Sequence, residues 1–408
     1  MDYEFLNQEN IPDYIRSRSE LTGTINADAI TSITEVGDGN LNLVFIVEDS
    51  LGQSVVLKQA LPYVRLVGPG WPMTPERGAR EANALVTHAA LSPGLVPVTY
   101  FFDHDRYAIG MENLSGFRVW RGALIEGLRH EGVARDMGRY VADVAFGTSV
   151  LGVDAEVHKG LVAQASNPEL CKITEDLVFA EPYDDIGRNA VLETNQPDAD
   201  EHSKDPDMIR AMGEAKWIFM THAEALIHGD LHTGSVMVRA DHGNEGPSGS
   251  KAFDSEFAFY GPVSFDIGAL WANYAISAAR HVALGNEEMA HWSLGLVAQT
   301  WNGFVERLRE LYPQRIDSRV WKDDLLESLV TRWKQEAWLF AAAKMSRRIV
   351  GLAKAADIET LEPSIREGAA RGILRLSRHL ASQSYTNTDI ENFVSLAETV
   401  LRDNRTGH

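Results

Sequence analysis

The spacing of apolar positions changes near residue 115, and with it the kind of element the chain predicts. Before that point, short runs rich in β-branched and aromatic residues alternate with small or polar turns, which predicts strands. Residues 33–47 form two such runs about Gly37-Asp38-Gly39-Asn40, a hairpin with a small polar turn. Residues 54–59 form a third, in which Lys58 follows Val55-Val56-Leu57. Residues 95–102 and 107–111 form two more, joined by Asp103-His104-Asp105-Arg106. One helix interrupts them: Thr74-Pro75-Glu76-Arg77 reads as a start with Pro at its first position, running through Glu81 to Val86. Another short helix opens at Asn10-Ile11-Pro12 and is expected outside the first sheet. Leu66-Val67-Gly68-Pro69-Gly70-Trp71-Pro72-Met73-Thr74-Pro75 has too many Pro and Gly residues for a regular element and predicts a loop carrying Trp71.

Past residue 115 the apolar period becomes helical. Residues 120–130 and 133–151 predict helices, the second with Met137, Tyr140, Val141 and Val144 on one stripe. Residues 193–207, acidic and containing Asn195-Gln196-Pro197, read as an exposed loop. Helices are predicted over 208–225, 269–279, 287–311, 320–343 and 391–401, and 402–408 reads as a disordered tail. The expected fold class is α+β, with an N-terminal unit over 1–115 built on an antiparallel sheet and a helix. A larger, mainly helical unit then covers 116–408.

One stretch breaks the apolar pattern with acids. Ile227-His228-Gly229-Asp230-Leu231-His232-Thr233-Gly234-Ser235 leads into the strand-like Val236-Met237-Val238. After a turn comes Ala252-Phe253-Asp254-Ser255-Glu256-Phe257. Acids among apolar residues are costly unless paired or bound to metal. An acid on a loop, a strand, a turn and a second acid resemble the kinase active-site ribbon. There the first Asp takes the substrate hydroxyl proton and the second holds Mg²⁺ on the phosphates. Taken singly, Asp230 could be a turn residue and Asp254 a satisfied strand-end acid; the ordered pair favours the kinase reading. In that frame Gly37, Asp38, Gly39 and Asn40 would lie over ATP phosphates, though the full Gly-x-Gly-x-x-Gly pattern is absent. Lys58 would contact the phosphates, with Glu81, or failing that Glu76, as its partner. Met111-Glu112-Asn113-Leu114-Ser115-Gly116 resembles a hinge, whose backbone near Glu112 and Leu114 would meet adenine. Asp266 either caps the following helix or braces the His228 loop, or does both. Arg347-Arg348 could be surface charge or a helix C-terminal pair, but a triphosphate in an acidic protein needs cations.

The net charge of −20 disfavours a nucleic-acid protein. Cys171 is the single cysteine, which excludes an internal disulfide framework and a cysteine-based zinc site. The acidic start Met1-Asp2-Tyr3-Glu4 and the lack of a long apolar run predict a cytoplasmic protein without membrane contact.

With these residues in place, nearly the whole chain resembles the methylthioribose kinases, relatives of aminoglycoside phosphotransferases and choline kinases. The resemblance is carried by the His228–Ser235 loop, the stretch from Asp254 to Pro262, the Trp71 loop and Arg347-Arg348. The wider kinase pattern has Asn five residues after the catalytic Asp; Ser235 stands there, and Glu256 looks like the replacement metal carboxylate. Methylthioribose kinases share both departures. The resemblance implies a bilobal protein-kinase-like fold and MgATP-dependent phosphorylation of 5-methylthioribose on its 1-hydroxyl. The product would be 5-methylthioribose 1-phosphate, in methionine salvage. It implies that Asp230 is catalytic, that Asp254 and Glu256 hold Mg²⁺, and that Arg347, Arg348 and Trp71 approach the sugar. His228, Glu81 and Asp266 would support the site, and the enzyme would be a homodimer. The alternatives are a same-fold kinase of homoserine, choline or an aminoglycoside, or a catalytically inactive kinase-like binding protein. The last should have lost Lys58, Asp230 or Asp254, and the chain keeps all three.

Overall fold

A computed structural model of the chain describes residues 3–37, 41–65, 68–240 and 249–407. Its first part is a five-stranded antiparallel sheet in the order β1-β2-β3-β5-β4, from β1 (Ile30–Glu35), β2 (Asn42–Asp49), β3 (Ser54–Ala60), β4 (Thr99–Asp103) and β5 (Ala108–Glu112). Alternation along β3 divides the sheet faces. Val55 and Leu57 pack with Phe45, Val47 and helix α1 (Ile11–Arg16) on one side. Lys58 pairs in register with Val44 and Ile109 and is directed to the other face. Helix α2 (Arg77–Leu91) lies on that face, with Ala82 and Leu85 joining Ile109 and Met111 in the main core. Its start is Arg77 rather than Thr74.

The chain then becomes helical. β6 (Phe117–Val119) leads into α3 (Trp120–Ile125), α4 (Val133–Thr148), α5 (Ala155–Gln164), α6 (Pro168–Phe179), α7 (Gln196–Lys204) and α8 (Pro206–Thr221). After them come β7 (Ala225–Ile227), β8 (Val236–Arg239), β9 (Ser250–Ala252) and β10 (Phe259–Gly261). The remainder is α9 (Ser264–Ala283), α10 (Glu287–Leu311), α11 (Asp323–Ile349), α12 (Ala356–Glu359), α13 (Pro363–Gln383) and α14 (Ile390–Asp403). β6, β8 and β9 form a small three-stranded sheet; β7 and β10 form a two-stranded one. Among the described residues, no helix is long and apolar enough to cross a membrane.

Several expected boundaries change. α3 stops at Ile125 because Gly127 takes φ +79°, the Leu128 N–H returns to Ala123 O at 2.9 Å, and the Gly127 N–H to Leu124 O at 3.0 Å. That double bond pattern is a helix stop that left-handed glycine makes easy. The expected exposed loop over 193–207 is instead a 3₁₀ turn and α7, with Asn195 and His202 buried. Pro197 sits in the first turn of α7, and Gln196 and Lys204 both bond Asp200 at helical spacing. The polar composition is that helix's solvated face. Asp205 then caps α8, accepting from the N–H groups of Asp207 and Met208. The C-terminal tail is folded: α14 runs to Asp403, Asn404 is buried, and Thr406 bonds Ser364 and Gly368.

Candidate active site

Two clusters of charge face one another from the sheet and the helical part. The first is built on β3, α2 and the segment after β9. Lys58 Nζ lies 2.6 Å from Glu81 Oε1 and contacts Asp254 Oδ1 more closely still. Burial works against the ammonium, but Asp254, Glu81 and Glu256 outweigh it and hold the amine above its ordinary range. Glu76 lies elsewhere, accepting from the Tyr107 hydroxyl at 3.0 Å. Asp254 takes φ +66°, a left-handed conformation uncommon outside glycine, which turns its carboxylate toward Lys58. Burial would raise the Asp254 carboxyl; Lys58 draws it below its usual range.

Glu256 accepts from Asn42 Nδ2 at 2.5 Å, and Asn42 Oδ1 accepts from buried Arg77 at 3.1 Å. Burial and the neighbouring Asp254 push the Glu256 carboxyl up to about 8. Carboxylate oxygens of Glu81, Asp254 and Glu256 all lie within 4.8 Å of one another. Crowded acids with too little compensating charge fit a hard divalent cation with oxygen ligands, such as Mg²⁺.

The second cluster is the loop between β7 and β8. Asp266, in the first turn of α9, accepts the His228 N–H at 2.8 Å and the Gly229 N–H at 3.1 Å. It braces the loop backbone and does not cap α9, whose preceding residue is Val263. His228 Nε2 meets Phe253 O at 2.9 Å and ties this loop to the Asp254 segment. Gly229 has φ +81°, and a Cβ there would stand 2.2 Å from Phe257 O, so the close approach needs glycine. Ser235 Oγ donates to Asp230 O at 3.0 Å and is thereby occupied within the loop.

Asp230 Oδ1 lies 2.7 Å from Lys344 Nζ. Its Oδ2 lies 3.4 Å from His232 Nε2. Burial lowers the His232 ring to about 3, so it is neutral. Its Nδ1 accepts the Gly234 N–H, which leaves the proton on Nε2, toward Asp230. Burial opposes the Asp230 charge, yet Lys344, His232 and Arg347 hold the carboxyl well below its usual range.

α11 supplies the cations. Lys344, Arg347 and Arg348 recur at i, i+3 and i+4, one face of the helix. Arg347 has no side-chain hydrogen bond or ion pair among the described residues. Among the described residues, Arg348 donates only to Lys354 O, at 3.5 Å. Arg121 joins from α3, held by Asn273 Oδ1 at 3.0 Å and Asp357 at 3.5 Å. Burial, then repulsion from Arg347 and Arg121, drives Arg348 below its ordinary range.

The other sequence candidates lie around these clusters. Trp71 packs under the Arg188 guanidinium, 5.5 Å from its ring centre, and lines a cavity of about 500 Å³ with Met73 and Ile173. The Glu112 carboxylate pairs with Lys251 at 3.0 Å, and its N–H is taken by Val98 O. Leu114 O accepts from the Phe117 N–H at 3.1 Å. Gly37 ends the described part of the hairpin; Asp38, Gly39 and Asn40 lie outside the described residues. Sequence reasoning missed Lys344, His232, Arg121 and Asn42. Lys344 had a signal, standing one helical turn before Arg347-Arg348. Asn42 had none, since its contact is made 214 residues away.

The description "Phosphotransferase enzyme family" matches residues 32–302. The chain is 38% identical over 369 residues to a methylthioribose kinase of Geobacillus kaustophilus, covering 90% of each. It is 34% identical over 412 residues to one from Escherichia coli, covering 95% of this chain and 96% of the relative. A methylthioribose kinase of Bacillus cereus is 36% identical over 374 residues, 90% of this chain and 91% of its own.

Proposed function

Because this chain belongs to the phosphotransferase enzyme family and, within it, to the methylthioribose kinases, we propose that it moves the γ-phosphoryl group of ATP to the 1-hydroxyl of 5-methylthioribose. The product is 5-methylthioribose 1-phosphate, in methionine salvage. The observation that carries the reading is the facing arrangement. Lys58, Glu81, Asp254 and Glu256 stand on one side, and Asp230 is held ionised beside Lys344 and the arginine pair on the other.

ATP lies between a unit of residues 1–115 and one of 116–408. Gly37 and the following Asp38, Gly39 and Asn40 cover its phosphates, and Lys58 holds them. Adenine meets the backbone near Glu112 and Leu114; the Glu112 N–H is spent on Val98 O. Asp254 and Glu256 would hold Mg²⁺, with Glu81 close by. A metal held there would supply positive charge against that of the phosphates.

Asp230 accepts a hydrogen bond from the sugar 1-hydroxyl and takes its proton as the new O–P bond forms and the bond to the β-phosphate oxygen breaks. A strongly ionised carboxylate is a weak base, which suits a loose transition state where the proton leaves late. Arg347 and Arg348 fork onto the transferred group or the sugar oxygens. Trp71 covers the acceptor. The enzyme acts as a cytoplasmic homodimer.

An aminoglycoside or choline acceptor is cationic and calls for acids and aromatics; a face bearing Lys344, Arg347, Arg348 and Arg121 repels it. The test measures ADP release with methylthioribose, ribose, homoserine, choline and kanamycin as acceptors. Turnover with methylthioribose at the highest kcat/KM is expected. A preference for any of the others overturns the substrate assignment.

A further inference from the structure

We propose that Lys344 is a positioning residue of the phosphoryl transfer, which aims and ionises Asp230 before the step and faces the new phosphate ester after it. The inference rests on the kinase reading above. Lys344 interrupts a buried run, Trp338-Leu339-Phe340-Ala341-Ala342-Ala343 before it and Met345 after it. Its side chain is 4% exposed, and an ammonium so enclosed is costly unless compensated. Among the described residues its one ion pair is with Asp230, at 2.7 Å. Beneath it lies the Phe265 ring, 4.6 Å from Nζ. A side chain kept for packing alone would be better replaced by Met or Leu at this point of the helix.

The acid is thus held from two sides. α9 fixes the loop just before it, at His228 and Gly229, through Asp266, and α11 fixes its carboxylate through Lys344. In the ground state the ammonium neutralises Asp230. When the sugar O–H bond breaks, the proton goes to Asp230 and the pair loses its negative member. The ammonium is then uncompensated at the moment the acceptor oxygen gains its phosphoryl group, and no proton has to leave Lys344. Asp230, Asp266, Arg347 and Arg348 are the charged groups facing it, with neutral His232 beyond Asp230. Burial, opposed by Asp230 and helped by Arg347, brings the amine down to about 8. Its charge is therefore present below that pH and lost above it.

The experiment compares Lys344→Met and Lys344→Arg with wild type, measuring kcat, KM for ATP and the pH profile. Lys344→Met is expected to lower kcat about 10²-fold with KM for ATP unchanged. Lys344→Arg should recover part of kcat and carry the alkaline limb, near pH 8 in wild type, to higher pH. A Met variant with wild-type kcat, or an Arg variant with the alkaline limb unmoved, overturns the proposal. If Lys344→Met does not fold, the Arg profile alone decides. A thermal-unfolding cycle with Asp230→Asn separates this from the choice of acceptor, because it needs no substrate. Non-additive shifts in Tm support the pair, and additive ones refute it even where methylthioribose is turned over.

Discussion

At the scale of single residues, the site is a set of charges that cannot be satisfied by the chain alone. Glu256 is the clearest case: among the described residues its carboxylate hydrogen-bonds only Asn42, and burial beside Asp254 disfavours its charge. Glu256→Gln should therefore raise the Mg²⁺ concentration needed for half-maximal turnover far more than it raises the KM for methylthioribose. A magnesium titration that overlays wild type would remove Glu256 from the metal. Asp230→Ala should lower kcat by about 10²–10⁴-fold while ATP still binds. Nucleotide affinity by calorimetry alongside turnover checks both halves. Arg347 has room to serve, since its guanidinium makes no hydrogen bond or ion pair among the described residues and feels Asp230 only through its charge. Arg347→Lys keeps the charge but loses the planar fork, so kcat/KM for the sugar should fall with little change in Tm. A helix-capping role would leave the kinetics alone, because a cation at a helix end contributes only about 0.3–1 kcal/mol whichever residue carries it.

At the scale of elements, what was legible followed from local pattern. Lys58, Glu81, Asp230, Asp254, Arg347 and Arg348 each stand on a strand, helix or loop whose period is visible in the sequence. The two arginines share a helix face that also carries Lys344, so that lysine was within reach of the same argument. α7 was hidden because its polar face dominates its composition, although Pro197 in its first turn and the Asp200 pairs mark a helix. Asn42, Arg77 and Asn167 were out of reach. Asn42 donates to the Glu256 carboxylate, Arg77 holds Asn42, and Asn167, just before α6, donates to Glu256 O, all of which depends on how β2, α2 and α6 dock onto a loop far along the chain. The His228 loop gives the prediction for this scale. Gly229→Ala must place a Cβ against Phe257 O in a left-handed conformation. It should lower both Tm and kcat, whereas exposed Gly160, inside α5 and with open space around it, should tolerate Ala with kcat unchanged.

At the scale of the whole molecule, an acidic chain keeps several of its carboxyl groups buried, and stability carries the trace. Glu336 on α11 accepts from Ser264 Oγ at 2.6 Å. Burial, reinforced by Glu224 and opposed by that hydrogen bond and by Arg332, pushes its carboxyl up to about 7. The folded state then holds a proton that the unfolded chain releases at lower pH, so this group makes stability fall as pH rises from the ordinary glutamate range to about 7. Glu336→Gln should flatten that part of the Tm profile, and an unchanged slope would show that Glu336 is ionised throughout. The central claim concerns the reaction itself, and ³¹P NMR of the protein with MgATP and methylthioribose tests it most directly. The account predicts a new phosphomonoester whose phosphorus couples to the single anomeric proton, formed one for one with ADP and absent with Asp230→Asn. Inorganic phosphate alone, an ester on another carbon, or an undiminished signal from the Asn variant would contradict it.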